Sequence, residues 1–290
     1  MKAGELLSSG INILKSGGVA EPVLNAEILL SQSMGTDRTG VYTRIDDEMP
    51  LERSKDFLKL LERKLEFEPV QYIRGYAEFY GRRFIVSKDV LIPRPETELL
   101  VEEVIDFCSS MKHPKILDLC TGSGNIAVTL KKEIPGSVVF ASDISSSAIN
   151  IAVSNAKENG IGDGLHFFCA DLFSGLHIKK EFDVIVSNPP YIPSAKICSL
   201  QFEVSGYEPK IALDGGKDGL DAIKRIIRDA YNYLIEGRML LLEIDPEQQH
   251  AISDIIKMFR MYTGAAFLKD LSGDVRAFRA VKKKSVCNDK

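Results

Sequence analysis

The sequence feature that most constrains the fold is a regular alternation of short apolar runs and helical stretches that begins near residue 116. The helical stretches include Ser146–Asn159, Leu220–Leu234 and Glu247–Phe259. The apolar runs are rich in β-branched residues and predict strands at Ile116–Leu119, Val138–Ser142, Leu165–Cys169, Val184–Ser187, Met239–Ile244, Ala265–Lys269 and Val275–Val281. Because helical crossovers join parallel strands, this alternation predicts an α/β fold built on a parallel sheet.

The chain before this region predicts a different architecture. Residues 1–75 have helical periodicity, and Pro22 and Gly35 stand where a helix begins and ends. Residues 76–95 predict a β-hairpin that turns near Gly81, followed by a proline-bracketed linker; just after it, Thr97 is a candidate cap for the next helix. We therefore expect an N-terminal helical domain that docks a partner (1–75), a hairpin and linker (76–95), and a larger α/β domain (96–290). Lys282, Lys283 and Lys284 open an expected solvated tail.

Composition narrows the classes of function. The chain is 44% hydrophobic and 27% charged, with a formal net charge of −4, which gives no overall attraction to nucleic acid or to anionic membranes. No apolar run is long enough to span a bilayer, and Met1–Gly18 lacks the apolar segment of a signal peptide. The five cysteines show no Cys-x-x-Cys pair, so we expect reduced thiols, no metal and a cytoplasmic protein; they are Cys108, Cys120, Cys169, Cys198 and Cys287.

A group of hydrogen-bond acceptors follows the expected strand Val184–Ser187. Asn188 offers a side-chain carbonyl and Pro189 a backbone carbonyl, while Pro189 and Pro190 bring no competing N–H donor. Two carbonyls suit the two hydrogens of an –NH2 group, and the ring of Tyr191 can pack against a planar amide or base. Alternatively, the prolines merely end the strand and Tyr191 belongs to the core.

Carboxylates lie at the end of, or just after, each of the first three expected strands, at the same edge of the sheet. Asp118 precedes a glycine-containing turn with Gly122 and Gly124, Asp143 ends the second strand, and Asp171 follows the third. The glycine pattern with Asp143 also fits a dinucleotide site, in which a carboxylate binds a ribose diol. Asp118 favours S-adenosylmethionine instead, because a carboxylate at the mouth of the loop suits the methionyl ammonium and repels a pyrophosphate. Asp171 is placed to accept from an adenine amine.

Each carboxylate also has a purely structural interpretation. Asp118 could cap the loop, Asp143 could cap the helix start at Ser145–Ser147, and Asp171 could be a turn residue. Their joint occurrence on one sheet edge, together with Asn188, favours the site interpretation.

Several motifs together resemble the HemK/PrmC family of class I S-adenosylmethionine-dependent amino-methyltransferases. Besides Asp118, Gly122, Gly124, Asp143 and Asp171, they are Gln71-Tyr-Ile-x-Gly75, Ile92-Pro-Arg-Pro-Glu-Thr-Glu98, Asn188-Pro-Pro-Tyr-Ile192, Tyr207-Glu-Pro209 and Gly215-Gly-x-Asp-Gly-Leu220. The resemblance covers about residues 20–280 and departs from the family at three places. Cys120 stands where glycine is usual, Asp245 stands where the glycine of Glu-Ile-Gly is usual, and Ser272–Arg276 is a variant of the closing motif. It implies a Rossmann-like sheet of seven strands, mostly parallel, with the last hairpin strand antiparallel.

The resemblance also implies an activity. Family members methylate the side-chain amide nitrogen of the glutamine in the Gly-Gly-Gln motif of peptide chain release factors. By resemblance, Asn188, Pro189 and Tyr191 are catalytic, and Asn188 to Tyr191 contact the substrate. The cofactor contacts implied are Asp118, Cys120, Thr121, Gly122, Ser123, Gly124, Asp143, Ile144, Asp171, Leu172 and Asn188.

The irregular stretch from Ile192 to Gly219 is long for a compact domain, and such loops are commonly functional. We predict that it shapes a peptide cleft together with Arg94 and Glu96, and that Glu208 contributes to substrate binding. The rival interpretations are a nucleic-acid amino-methyltransferase, a non-catalytic adaptor that keeps the fold, and a dehydrogenase. We expect a monomer that forms no stable complex with nucleic acid.

Overall fold

The computed structural model describes residues 1–177 and 179–284. Cys287 and the far end of the expected tail therefore lie outside the described residues. In chain order the helices are α1 (Ala3–Ser16), α2 (Pro22–Met34), α3 (Arg38–Thr43), α4 (Leu51–Leu65), α5 (Val70–Arg74), α6 (Glu98–Cys108), α7 (Asn125–Glu133), α8 (Ser146–Glu158), α9 (Phe202–Tyr207), α10 (Lys210–Leu213), α11 (Asp221–Ala230) and α12 (Gln249–Phe259). The strands are β1 (Tyr76–Phe79), β2 (Arg82–Ile85), β3 (Lys115–Leu119), β4 (Val138–Asp143), β5 (Leu165–Cys169), β6 (Phe182–Ser187), β7 (Leu234–Glu243), β8 (Tyr262–Lys269) and β9 (Val275–Lys282).

The chain forms two compact units. The first comprises Met1–Tyr76 and Gln201–Tyr207, and the second comprises Ala77–Leu200 and the chain from Glu208 onward. The boundary after residue 76 lies close to the expected domain limit, but the short segment Gln201–Tyr207 belongs to the first unit although it lies far along the chain.

The first unit is a helical bundle around an apolar core. Pro22 occupies the first turn of α2, and Gly35 ends that helix with a left-handed φ of 67°. Gln201–Tyr207 joins this unit through Lys64, whose buried ammonium donates to Glu203 (2.7 Å), and through the ring of Phe202 against Phe67 (6.2 Å between centroids). An ion pair at a buried lysine and an aromatic contact thus hold the segment to α4 and the residues after it.

The second unit contains a seven-stranded sheet of order β5-β4-β3-β6-β7-β9-β8. Its strands run parallel except β9, which is antiparallel to β7 and to β8. The register places Leu119 opposite Ser142 on one side and Ser187 on the other. The expected fold is therefore confirmed, and the loops that follow β3, β4 and β6 begin side by side at the carboxyl edge of the sheet.

Both faces of the sheet are covered by helices and buried apolar side chains, which explains the almost unbroken apolar run of β6. The hairpin β1–β2 turns at Tyr80 and Gly81, whose φ angles of 50° and 68° are those of a type I′ turn. Phe79 and Phe84 are buried in the same core as Leu100 of α6. The hairpin is thus packed into the α/β unit rather than forming a bare linker.

Two expectations about element ends were wrong. The helix predicted over Leu220–Leu234 ends at Ala230, because Leu234 pairs with Phe182 and begins β7. Lys282 does not open a solvated tail: it is the last residue of β9 and only 1% exposed. Its ammonium donates to the carbonyls of Tyr231 (2.6 Å) and Leu234 (2.8 Å), which satisfy the buried charge. Within the described ranges, no helix is both long and apolar enough to cross a membrane.

Candidate active site

A cavity of about 260 Å³ opens at the carboxyl edge of the sheet, where the sequence places its polar motifs. Many of the predicted site residues line this cavity. They are Arg94, Cys120, Thr121, Gly122, Ser123, Asp143, Ile144, Asp171, Leu172, Asn188 and Pro190. Lining residues that were not predicted include Val90, Leu91, Thr97, Asn125, Ala170, Asp221 and Arg225. Loops from four neighbouring strands thus converge on one cavity, as ligand sites of open α/β sheets do.

The loop after β3 forms one wall and has an unusual backbone. Cys120, Gly122 and Gly124 all have left-handed φ angles, of 59°, 53° and 79°. A Cβ built on Gly122 would meet no atom within 4 Å, so this glycine leaves open space in the cavity. A Cβ on Gly124 would lie 3.0 Å from Cβ of Ala152, so this glycine, which does not line the cavity, lets the loop pack against α8.

Asp118 does not occupy the mouth of the loop, contrary to expectation. It is fully buried and does not line the cavity. Oδ2 accepts from the Thr121 hydroxyl (2.6 Å), and Oδ1 makes no hydrogen bond of standard geometry within the described chain. Burial raises the pKa of Asp118 to about 7, although Thr121 and the Ala127 N–H oppose this shift. A direct ion pair between Asp118 and a bound ammonium is therefore not supported by this arrangement.

Asp143 lines the cavity and also organises its wall. Oδ2 accepts from the Gly122 N–H (2.9 Å) and Oδ1 from the Ser145 N–H (2.9 Å), so Asp143 orders the backbone just before α8 and at the same time faces the cavity. Burial raises the pKa of this carboxyl group, and the backbone donors at Ser145, Gly122 and Ile144 oppose the shift. Each carboxylate oxygen keeps a second lone pair, which can accept from a ligand hydroxyl.

Asp171 lines the cavity together with two aliphatic residues, of which Ile144 is exposed and Leu172 is buried. Its Oδ2 accepts from Arg225 (2.8 Å), a cavity-lining partner from α11 that the sequence did not reveal. Leu172 follows with a left-handed φ of 51°, and Ile144 exposes half of its surface, which is unusual for an isoleucine. A flat apolar ring system with polar edges matches this combination of a carboxylate and two aliphatic side chains.

The acceptors at Asn188, Pro189, Pro190 and Tyr191, called the acceptor corner below, lie partly on the cavity wall and partly next to it. Asn188 and Pro190 line the cavity, whereas Pro189 and Tyr191 do not. The amide nitrogen of Asn188 donates to Oγ1 of Thr97 (3.2 Å), and the hydroxyl of Tyr191 donates to Glu243 (3.1 Å). Ser187 donates to the Leu119 carbonyl (2.7 Å) and so ties the end of β6 to the end of β3.

The sequence suggested that Thr97 caps α6, but the structure shows no such cap. Its side chain makes no capping hydrogen bond, and its hydroxyl donates instead to Oε2 of Glu243 (2.6 Å). Glu243 ends β7 and is 2% exposed. Sequence reasoning missed Glu243, although a carboxylate after the apolar run Met239–Leu242 at this sheet edge was a usable signal.

The glycine-rich loop at Gly215–Leu220 supports the acceptor corner from behind. A Cβ on Gly219 would lie 2.2 Å from the Tyr191 carbonyl, and one on Gly215 would lie 2.8 Å from the Pro190 carbonyl. The side-chain amide of Gln248 donates to the carbonyls of Tyr191 (2.9 Å) and Gly219 (3.0 Å). Only glycine allows the two backbones to approach so closely.

Asp245, which stands where the glycine of Glu-Ile-Gly is usual in the family, caps the turn before α12. Its side chain accepts from the Glu247 N–H (2.8 Å).

The charged residues assigned to substrate binding play different parts. Arg94 lines the cavity and pairs with Glu208, whose side chain is buried. Glu208 also accepts from the Ile92 N–H (3.2 Å), so it holds the proline-bracketed loop rather than facing a substrate. Burial raises the pKa of Glu208, and the positive charge of Arg94 counteracts this. Glu96 is half-buried and lies outside the cavity lining.

The cavity fits an S-adenosyl group by the chemistry of its lining. Gly122 leaves open space in the cavity, Asp143 keeps acceptor lone pairs for a diol, and Asp171, Ile144 and Leu172 all line the cavity. Burial raises the pKa of the Cys120 thiol, to about 12. Among the described residues no group of three His, Cys, Asp or Glu side chains could hold a metal ion, and the four cysteines described there are free.

A seven-stranded sheet with one reversed strand and a ligand cavity of this kind defines the class I S-adenosylmethionine-dependent methyltransferases. Solved structures agree on the fold. A methyltransferase from Pyrococcus furiosus superposes with a TM-score of 0.51 at 18% identity, over 71% of this chain and 91% of that one. The hMettl16 catalytic domain, solved with the MAT2A 3′UTR hairpin 6, gives a TM-score of 0.56 at 14% identity, over 84% of this chain and 96% of that one.

Sequence relatives identify the family. A model described as the PrmC N-terminal domain matches residues 5–75, and one described as the methyltransferase small domain matches residues 95–200. The release factor glutamine methyltransferase of Koribacter versatilis is 37% identical over 274 residues, 94% of this chain and 96% of that protein. The release factor glutamine methyltransferase of Moorella thermoacetica is 35% identical over 283 residues, which cover 98% of this chain and 99% of that protein. The chain belongs to the release factor glutamine methyltransferase family.

Proposed function

We propose that this protein transfers a methyl group from S-adenosylmethionine to the side-chain amide nitrogen of the glutamine in the Gly-Gly-Gln motif of peptide chain release factors. The observation that carries the proposal is the orientation of Asn188 at the cavity wall. Because its amide nitrogen donates to Thr97, its Oδ1 is left to accept from a substrate N–H. The relatives described above support the choice of substrate.

S-adenosylmethionine is the methyl donor, and its sulfonium supplies the electrophilic methyl group. Thr121, Gly122 and Ser123 would approach its methionyl part, and Asp143 would accept from the ribose hydroxyls. Asp171, Ile144 and Leu172 would hold the adenine. Asp118 would act through Thr121, by fixing the loop, rather than by touching the ligand.

The chain's own contribution to the reaction is to hold a poor nucleophile in one orientation. An amide nitrogen is a weak nucleophile because its lone pair is delocalised into its carbonyl. Asn188 Oδ1 and the Pro189 carbonyl would accept the two N–H hydrogens, which stabilises positive charge as it develops on nitrogen. Fixing nitrogen and methyl in line supplies a second large contribution to the rate.

No side chain here needs to act as a strong base before transfer, since the alkylated nitrogen becomes acidic. Burial and the nearby Glu243 carboxylate raise the pKa of Tyr191 far above its usual value, so its phenol stays protonated. Tyr191 would therefore act by packing against the amide plane.

The helical unit would dock the release factor, and Arg94 and Glu96 would shape the peptide cleft. The protein would work as a cytoplasmic monomer.

The test is mass spectrometry of a purified, unmethylated release factor after incubation with this protein and S-adenosylmethionine. We expect one added methyl on the Gly-Gly-Gln glutamine and a loss of at least about 100-fold in rate for Asn188→Ala. The matched control is Asn150→Ala, an exposed asparagine of α8, which should retain the wild-type rate. Absence of methylation while cofactor binding is intact would refute the proposal and favour a nucleic-acid substrate.

A further inference from the structure

Glu243 is a buried carboxylate that makes no contact with the cavity yet connects two parts of the acceptor corner. Its Oε2 accepts from Thr97 Oγ1 (2.6 Å), and its Oε1 accepts from the Tyr191 hydroxyl (3.1 Å). Thr97 in turn accepts from the amide nitrogen of Asn188 (3.2 Å). The three contacts form one chain of hydrogen bonds from β7 to the cavity wall.

The direction of each hydrogen bond in this chain is determined by the one before it. An ionised carboxylate can only accept, so the single hydrogen of the Thr97 hydroxyl is committed to Glu243. Thr97 can then only accept from Asn188, and the group that faces it must be the amide –NH2. The carbonyl oxygen of Asn188 therefore points the other way, which is the orientation an –NH2 substrate requires.

A carboxylate at this position is costly for stability. Glu243 is 2% exposed, and taking its charge out of water is unfavourable unless strong partners offset it. Burial raises the pKa of Glu243; the negative charge of Glu96 raises it further, and the positive charge of Arg276 lowers it. An apolar side chain of similar size would pack at β7 without this cost, so the charge has a use other than holding the fold together.

We infer that Glu243 is a positioning residue, which sets the amide orientation of Asn188 through Thr97 and fixes the hydroxyl of Tyr191. The inference rests on the proposed function and extends it to a residue that touches neither cofactor nor substrate. A carboxylate is needed because it alone accepts at both ends without offering a donor in return.

Glu243→Gln tests this directly, because the side chain keeps its shape while one acceptor becomes a donor. Thr97 or Tyr191 then loses its acceptor, and Thr97 can turn its hydrogen toward Asn188. We expect kcat for release-factor methylation to fall about 10- to 100-fold, with KM for the release factor and Kd for S-adenosylmethionine unchanged within about twofold. An unchanged kcat would overturn the inference, as would a loss explained by weaker cofactor binding.

Thr97 provides a second route that does not depend on how Glu243→Gln folds. Thr97→Val removes the hydroxyl at nearly constant shape and should reproduce the loss in kcat, whereas Thr97→Ser keeps the hydroxyl and should recover most of the kcat that Thr97→Val loses. The double variant Thr97→Val, Glu243→Gln should be no slower than the slower single variant, because both changes break one chain. Multiplied effects in the double variant would show independent roles and overturn the inference.

Asp183 offers the matched control. It is a buried acid at the opposite end of β6, where it accepts from the Lys115 N–H (2.9 Å) and pairs with Arg238 (2.8 Å). Asp183→Asn should lower the melting temperature and leave kcat unchanged. If wild type itself fails to methylate, the proposed function fails. If wild type is active and Glu243→Gln matches it, only the inference fails.

Discussion

Cys120 lines the cavity with a backbone angle that usually favours glycine. Its φ of 59° lies in the left-handed region, where an L side chain costs about 1–2 kcal/mol relative to glycine. The same loop uses glycine at Gly122 and Gly124 for equally left-handed angles. Cys120 therefore holds, with a side chain, a backbone angle that glycine adopts without this cost.

Glu243 should make the enzyme sensitive to pH near neutrality. Burial raises its pKa to about 7, with Glu96 acting in the same direction and Thr97, Tyr191 and Arg276 opposing. Below that pH the carboxyl is protonated and gains a donor, so the order of hydrogen bonds at Asn188 is lost. We expect kcat/KM to rise as pH increases through about 7 and then to level off, measured by methyl transfer from pH 5.5 to 8.5.

The control for this prediction is the same profile in Glu243→Gln, which should lose the rise near pH 7. The comparison is needed because Asp118 also has a pKa raised to about 7, and it remains in the variant. A rise of the same size and midpoint in Glu243→Gln would assign the titration to another group and contradict the prediction.

At the scale of elements, the sequence predicted the features that depend on residues close together in the chain, such as strands and the loops that follow them. Each loop at the sheet edge follows its own strand, so Asp143, Asp171 and Asn188 could be placed together from periodicity alone. The Thr97–Glu243 contact joins residues 146 apart, and Lys64–Glu203 joins residues 139 apart. Such pairs depend on how distant segments pack, and nothing in the local sequence around Thr97 separates a helix cap from a hydrogen-bond relay.

Gly122 and Gly124 belong to one turn between β3 and α7 but should respond differently to alanine. Gly124→Ala places a Cβ 3.0 Å from Cβ and 3.2 Å from Cα of Ala152, so α8 must shift. We expect a loss of about 1–3 kcal/mol in the free energy of unfolding, from strain and overpacking together. Denaturant unfolding of the cofactor-free protein measures it.

Gly122→Ala is the matched comparison. It has the same left-handed strain, but its Cβ meets no protein atom, so the loss of stability should be smaller than for Gly124→Ala. Because the new methyl group lies in the cavity, affinity for S-adenosylmethionine should fall about tenfold or more. Equal losses of stability in the two variants would mean that packing against α8 does not distinguish the two glycines.

At the scale of the whole molecule, the cavity lies in one unit, and the other unit also carries exposed apolar side chains. Every residue of the cavity belongs to the α/β unit, and the helical unit carries exposed apolar side chains. Leu51 and Leu58 of α4 are 71% and 45% exposed and lie seven residues apart, which places them on one face of the helix. Such a face supports the predicted docking of a release factor on residues 1–75.

The double variant Leu51→Ser, Leu58→Ser tests docking on this face. We expect KM for the intact release factor to rise about tenfold, while kcat and the affinity for S-adenosylmethionine stay unchanged, because only remote apolar contacts are removed. A short peptide containing Gly-Gly-Gln should be methylated equally by variant and wild type, since it reaches only the cavity. Met258→Ser, a 75% exposed residue of α12, is the control and should leave KM unchanged. If KM rose equally for peptide and release factor, the loss would lie in the α/β unit and the docking role of α4 would be wrong.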